Sequence, residues 1–297
     1  MTDQNTRLGL LLALSGFAIL SVGDAVVKTM ANDWSPVAVA ALRFTIGAVV
    51  LAGFLGLKEG AVAFRPARMW LQAVRGFSLA GATLCFFSAI FVMPLADATA
   101  IGFVAPFLVA MLSWPVLKEK VLASTWGAAV IAFAGVLLIL RPNVAELGFA
   151  ALLPLGGALF VSILVLGNRA AAGTGSALSM QVFLAAFAAP MLIVAAFAGR
   201  ASGIELLDFG WPDWTVVARC AFVAVTASTA HLLIYLGTTR AGAATIAPMT
   251  YVQLLVAAGL GWLWFGDVPD IMTLIGAVII IGSGLVMWWA GKPKPVS

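Results

Sequence analysis

The sequence predicts an all-α integral membrane protein with ten transmembrane helices in two inverted five-helix repeats. Its composition is the first reason, because 63% of the 297 residues are apolar and 9% are charged. Soluble domains are about half apolar and a quarter charged, so lipid must be the solvent for much of this surface. Ten long apolar segments and an internal duplication are the other two reasons.

A membrane-spanning helix needs about 20 consecutive, mainly apolar residues. Short connections rich in Gly, Pro and charged residues separate the segments that meet this requirement, as at Arg141-Pro142-Asn143. The predicted spans are 8–30, 36–57, 69–92, 96–116, 121–140, 147–168, 176–199, 213–236, 241–265 and 269–290.

The distribution of basic residues predicts the orientation, because cytoplasmic connections of membrane proteins carry an excess of Lys and Arg. With the N-terminus inside, Arg141 and Arg200 are the clear basic residues of the outer connections. The inner side holds Arg7, Lys58, Arg65, Arg68, Lys118, Lys120, Arg169, Arg240, Lys292 and Lys294. All ten tryptophans fall near span ends, as expected for interfacial rings. Both termini are therefore expected in the cytoplasm, on the inner membrane of a bacterium.

Spans four and five resemble spans nine and ten. The matching features are Ala98-Thr99-Ala100 with Ala244-Thr245-Ile246, the spacing of Trp114 and Glu119 with that of Trp262 and Asp267, and the Gly-x7-Gly helices at 127–135 and 276–284. Five helices per copy is an odd number, so the second copy is inverted. We expect a first repeat at 1–143 and a second at 144–297, forming one membrane domain with its substrate site near the midplane.

This pattern resembles the EamA-type exporters of the drug/metabolite transporter superfamily. The resemblance rests on Lys118-Glu119-Lys120 and Gly266-Asp267, which occupy the turns before the Gly-x7-Gly helices. Asp267 departs from the family pattern, which usually has Glu there. The most similar subgroup is the YddG-type exporters of aromatic amino acids. The resemblance implies export of a small molecule by alternating access.

Several chemistries are absent from the sequence. One histidine excludes a His-Glu-x-x-His zinc site, and neither a phosphate-binding Gly-x4-Gly-Lys-Ser/Thr loop nor a Gly-x-Ser-x-Gly elbow occurs. Cys85 and Cys220 lie in apolar runs and indicate no disulfide framework or metal site. We therefore expect no enzyme activity, cofactor, metal or nucleic-acid partner. A membrane enzyme or a non-transporting scaffold is the alternative class, and the oligomeric state stays open.

Charged residues within spans are costly and must be explained. Asp24 and Lys28 are four residues apart and can neutralise each other, and Arg43 could pair with Asp24. Arg75 and Arg219 lie close enough to span ends to reach the headgroups or to anchor neighbouring helices.

The midplane is left with uncharged groups, which disfavours a permanent cation or a sugar phosphate and favours a neutral, zwitterionic or aromatic solute. Aromatic rings can stack on such a solute, and polar groups at depth need partners. The candidate substrate-binding residues are Tyr251, Gln253, Phe103, Phe107, Phe87, Ser21, Ser162 and His231. Each could instead serve ordinary helix packing.

The predicted function is export of aromatic and large neutral amino acids, with no obligatory ion coupling, because few titratable groups lie at depth. The alternative is a proton-coupled exporter of drugs or other metabolites. Pro106 and Pro248 interrupt the repeat-equivalent spans four and nine, since proline removes a helical hydrogen bond. We expect these two helices to bend during gating.

Overall fold

The computed structural model describes residues 3–117, 148–171, 173–241 and 247–290, together with separate positions between 127 and 138. Ten α-helices account for most of these residues. They are α1 Asp3–Lys28, α2 Pro36–Glu59, α3 Met69–Val92, α4 Leu95–Gly102, α5 Ala105–Leu117, α6 Leu153–Ala170, α7 Ala177–Ala201, α8 Trp214–Ala241, α9 Val252–Phe265 and α10 Ile271–Ala290.

The helices confirm the all-α membrane fold. Six helical stretches of the described chain have the length and composition needed to cross a membrane, and shorter apolar helices cover 95–109, 249–265 and 271–283. Most of their bounds agree with the predicted spans to within about six residues. Span four is divided into α4 and α5, and α9 begins at Val252 rather than at the predicted 241. Span five lies almost wholly outside the described residues, as do 118–120 and 244–246 of the repeat. The inverted arrangement therefore stays a prediction.

The helices group into two compact units that do not follow the order of the chain. The first unit comprises Met1–Ala25, Met93–Ala151 and Thr226–Ser297, and the second comprises Val26–Val92 and Leu152–Val225. Each unit thus draws helices from both halves of the sequence. The division into repeats at 143/144 describes sequence similarity and stays a prediction.

The second unit is a bundle of α2, α3, α6 and α7, in which glycines allow helices to approach closely. A Cβ atom at Gly76 of α3 would lie 2.3 Å from Cβ of Phe187 on α7, and one at Gly81 would lie 2.8 Å from the Phe160 ring on α6. Lipid provides no hydrophobic drive for helices to associate, so close packing of small residues is a main source of their attraction.

One end of the second unit is tied together by polar contacts. The Trp34 indole N–H donates to the Gly210 carbonyl at 3.0 Å, and the Arg219 guanidinium pairs with Asp33 and donates to the Thr29 carbonyl at 3.1 Å. Arg219 therefore anchors α8 to the turn between α1 and α2. The fully exposed Trp211 lies in the same region, as expected for an interfacial residue.

In the first unit, α1 and α8 pack closely against each other at two glycines, Gly16 and Gly237. A Cβ atom at Gly16 would lie 2.8 Å from the Ala230 carbonyl oxygen, and one at Gly237 would lie 2.7 Å from that of Gly9. Beside this crossing, Ala13 is fully buried against Leu10, Phe17, Ile234 and Met249.

Asp97 lies in the first turn of α4, where it is buried. The Thr273 hydroxyl of α10 donates to Oδ1 of Asp97 at 3.1 Å. The position of Asp97 in the first turn of α4 also stabilises the ionised carboxylate. The side chain therefore links α4 to α10 within the first unit.

The glycine packing of the second unit gives a stability prediction. Gly76→Ala should destabilise the protein by about 1–3 kcal/mol, because the added methyl group overpacks the contact with Phe187. Gly53→Ala is the matched control on α2, since nothing lies within 4 Å of a Cβ atom there. Thermal unfolding of the two purified variants in detergent checks this, and equal melting temperatures would contradict the packing described.

Candidate functional site

Two breaks in helical structure lie in the first unit. The chain leaves α4 at Gly102 and enters α5 at Ala105, and the N–H groups of Phe103 and Val104 bond to carbonyls three residues back. The second break is the 3₁₀ helix Ala247–Tyr251, which precedes α9. Discontinuous helices of this kind form the substrate sites of many transporters.

The prolines predicted to interrupt spans four and nine coincide with these breaks. Pro106 is the second residue of α5, and Pro248 is the second residue of the 3₁₀ helix. Proline is tolerated there because the first residues of a helix have no intrahelical acceptor for their N–H groups. The prolines thus begin new helical segments, and their part in gating stays a prediction.

An aromatic pair joins the two breaks. Phe103 caps the end of α4 and Tyr251 precedes α9, and their ring centroids are 5.4 Å apart with planes tilted by 56°. Both side chains are half-buried. Aromatic pairs at this separation contribute about 0.5–1.5 kcal/mol beyond simple burial.

Hydrogen bonds fix the polar residue next to this pair. The hydroxyl of Ser21 on α1 donates to the backbone carbonyl of Gln253 at 2.9 Å, and the Thr250 hydroxyl donates to Oε1 of Gln253 at 3.0 Å. No bond from Nε2 of Gln253 reaches another residue of the described chain. The amide is therefore oriented through its oxygen and keeps an N–H donor for a bound molecule.

The structure brings together four of the predicted substrate residues: Ser21, Phe103, Tyr251 and Gln253. Phe107 lies one turn along α5 from Phe103, where its ring is 5.9 Å from that of Phe133. His231 is exposed on α8. These six residues belong to the first unit.

The other two predicted residues lie in the second unit. Phe87 is buried, with the Arg43 guanidinium 5.2 Å from its ring centroid. Ser162 is fully buried and donates to the Ala158 carbonyl of its own helix at 2.7 Å. These are contacts of packing within a helix bundle, and a role in substrate binding stays a prediction for both.

Thr250 is a member of the site that the sequence analysis did not select. It lies three residues before Gln253, a spacing that places two side chains on one face of a helix. This spacing could have identified it, but isolated threonines are common in membrane helices and give no stronger signal.

Comparison with known proteins identifies the class of protein that carries this arrangement. Residues 7–141 match the EamA-like transporter family. The chain is 28% identical to the pseudopaline exporter of Pseudomonas aeruginosa over 92% of this chain and 93% of that protein. It is 23% identical to the S-adenosylmethionine uptake transporter of Rickettsia prowazekii (92% and 89%) and 25% identical to the riboflavin transporter of Vibrio cholerae (86% and 83%).

A solved crystal structure shares the fold, with a TM-score of 0.66 and 18% sequence identity over 96% of this chain and 99% of that one. The three relatives are all transporters of small molecules, and none is an enzyme. Their cargoes and directions of transport differ. The comparisons thus relate this chain to membrane transporters of small molecules, and the YddG-type assignment stays a prediction.

The ring contact at the two breaks gives a prediction for a double-mutant cycle. Phe103→Leu and Tyr251→Leu should show a coupling of about 0.5–1.5 kcal/mol in the free energy of unfolding, because either change removes the same contact. Equilibrium unfolding in mixed detergent measures the coupling. The control pair is Phe107→Leu with Tyr251→Leu, for which additive effects are expected; additivity in both cycles would contradict the contact.

Proposed function

We propose, from the chain's membership of the EamA-like transporter family, that it exports aromatic and other large neutral amino acids across a bacterial inner membrane by alternating access. The observation that supports this cargo is the Phe103–Tyr251 ring pair beside Gln253, at two breaks in helical structure. Small-molecule sites commonly combine apolar and aromatic walls with a few oriented polar groups.

The chemistry of these residues suits a zwitterion with a large apolar side chain. The two rings offer stacking surfaces, and the Gln253 amide offers a donor to a carboxylate and an acceptor to an ammonium group. None of the four assembled residues carries a full charge, so binding is weak. Weak binding favours release, which an exporter needs on the far side of the membrane.

A metabolite other than an amino acid is the second candidate cargo. The relatives are named for pseudopaline, S-adenosylmethionine and riboflavin, so cargo varies among proteins with similar sequences. Proton-coupled export belongs to this alternative.

A competition assay tests the cargo. With the protein reconstituted in liposomes, flux of labelled phenylalanine should be inhibited by tryptophan, tyrosine, methionine and leucine. Lysine and glutamate should inhibit little, because no charge in the site balances theirs. Equal inhibition by charged and aromatic amino acids would overturn the proposed cargo.

Substitutions in the same assay connect the flux to the site. Tyr251→Ala and Gln253→Ala should each reduce phenylalanine flux by about tenfold, the equivalent of about 1.4 kcal/mol. Cys220→Ala is the control, because Cys220 is fully buried in the second unit beside Met30 and Val39.

Transport should run down the substrate's own gradient without obligatory proton exchange. His231 is exposed on α8 rather than enclosed among the four assembled residues, and these four offer no carboxylate or imidazole to carry a proton. Flux should therefore appear in liposomes with no imposed pH or ion gradient, and His231→Gln should leave it unchanged. Flux that requires a proton gradient and is lost in this variant would establish coupling instead.

Both termini should face the cytoplasm, because the Lys and Arg excess lies on that side. Reporter fusions within 58–67 and at the C-terminus should report an inner location, and a fusion within 202–212 an outer one. A periplasmic signal from the C-terminal fusion would contradict this orientation.

A further inference from the structure

A polar cavity of about 140 Å³ lies in the second unit, and neither member of the ring pair is among its lining residues. The connection between α2 and α3 forms one wall, and the beginning of α7 forms another. The polar lining residues are Glu59, Arg65, Gln72, Thr174, Ser176 and Ser179. With the proposed orientation, these connections face the cytoplasm.

A buried cation lies directly behind this lining. Arg75 of α3 is 3% exposed; its Nε donates to Oδ1 of Asn168 at 2.6 Å, and its Nη1 donates to Oε1 of Gln72 and to the Met180 carbonyl at 3.5 Å. Gly167 makes room for it, since a Cβ atom there would lie 2.9 Å from Cγ of Arg75. The guanidinium thus anchors α3 to α6 and α7, one of the two roles expected from its sequence position, and does not extend to the headgroups.

The charge of Arg75 is not neutralised by its partners. The groups that accept its hydrogen bonds are two amides and a backbone carbonyl, and no carboxylate of the described residues lies within ion-pair distance. Gln72 and Met180 contact the guanidinium on one side and line the cavity on the other. A buried charge balanced only by dipoles leaves a positive potential in the adjacent space.

Donors on the cavity side add to this potential. Gln72 is 1% exposed and turns its Oε1 to Arg75, so its Nε2 has only the Met180 sulfur, a weak acceptor, at 3.4 Å. The N-terminus of α7 also lies here, capped by Ser176, whose hydroxyl accepts from the Ser179 N–H at 3.0 Å. Helix N-termini favour anionic groups.

The opposite charge occurs at the mouth of the cavity. Glu59 is exposed at the end of α2, and its Oε2 accepts a hydrogen bond from the Ser176 hydroxyl at 2.7 Å. The exposed Arg65 also lines the cavity. The opening therefore carries both charges, and Arg75 makes the interior positive. A volume of this size holds a headgroup of a few non-hydrogen atoms rather than a whole large solute.

We propose that this cavity binds the headgroup of an α-amino acid, with the carboxylate at the Gln72 amide N–H and the ammonium group at Glu59. It acts as a loading site that shares no residue with the ring pair. The choice of an amino acid rests on the proposed function, whereas the requirement for a paired anion and ammonium group rests on the cavity itself.

A cysteine reporter measures the potential without transport. Thr174→Cys is introduced with Cys85→Ala and Cys220→Ala, and the purified protein in phosphatidylcholine nanodiscs reacts with anionic or cationic methanethiosulfonate reagents. The anionic reagent should react about fivefold faster, as expected for a partly screened charge nearby. Arg75→Gln should reduce this preference, with Arg65 still in the lining, and Arg75→Lys should retain it. Equal rates in the protein with Arg75 intact would overturn the proposal, whether or not the substituted variants fold.

Protection of the same cysteine identifies the ligand. Phenylalanine should slow the labelling more than 3-phenylpropionate does, because 3-phenylpropionate lacks the ammonium group. Phenethylamine lacks the carboxylate and should not slow the labelling. Glu59→Gln should abolish the advantage of phenylalanine over 3-phenylpropionate. Protection that requires phosphatidylethanolamine in the nanodisc, and not phenylalanine, would make a lipid headgroup the occupant and overturn the proposal.

The Tyr251→Ala background separates this site from the proposed function. Protection by phenylalanine should persist there, because Tyr251 lies outside the cavity. Phenylalanine flux without protection at position 174 would overturn the loading site and leave the proposed function standing. Protection at position 174 without phenylalanine flux would overturn the proposed function and leave the loading site standing.

Discussion

Hydrocarbon cannot form hydrogen bonds with the peptide backbone, and the rest of this structure depends on that constraint. Each N–H and C=O group in the bilayer must find a partner within the protein, which restricts the spans to helices. The two helical breaks in the first unit are therefore the exceptional elements. At both, bonds to carbonyls three residues back or a 3₁₀ segment keep backbone groups paired, and the side chains nearby are the proposed substrate contacts.

The sequence was sufficient to predict the helices and much less informative about the site. Apolar length determined the spans, and proline chemistry located the breaks at Pro106 and Pro248. Ser21 and Gln253 were selected because polar groups at depth need partners, and they do contact each other. Ser162 met the same criterion and Phe87 was selected for its aromatic ring, but both lie in the other compact unit. That grouping depends on long-range packing and leaves no local pattern in the sequence.

Arg75 shows the limit of local reasoning most clearly. An arginine a few residues from a span end can extend to the headgroups, and its sequence neighbours do not reveal otherwise. Its hydrogen bonds to Asn168 and Met180 join residues 93 and 105 positions apart. The burial of Asp97 also depends on a distant partner, since the Thr273 hydroxyl that donates to it lies 176 residues away.

The distance along the chain between Arg75 and its partners also has a consequence for biosynthesis. α3 leaves the ribosome well before Asn168 and Met180 exist, and at about 5–20 residues per second the delay is on the order of ten seconds. During that time the guanidinium has Gln72 of its own helix, and its insertion at depth costs about 2.5–3.5 kcal/mol. The enclosed arrangement of Arg75 can therefore form only after α6 and α7 emerge, so the second unit completes its packing as a group of helices rather than one span at a time.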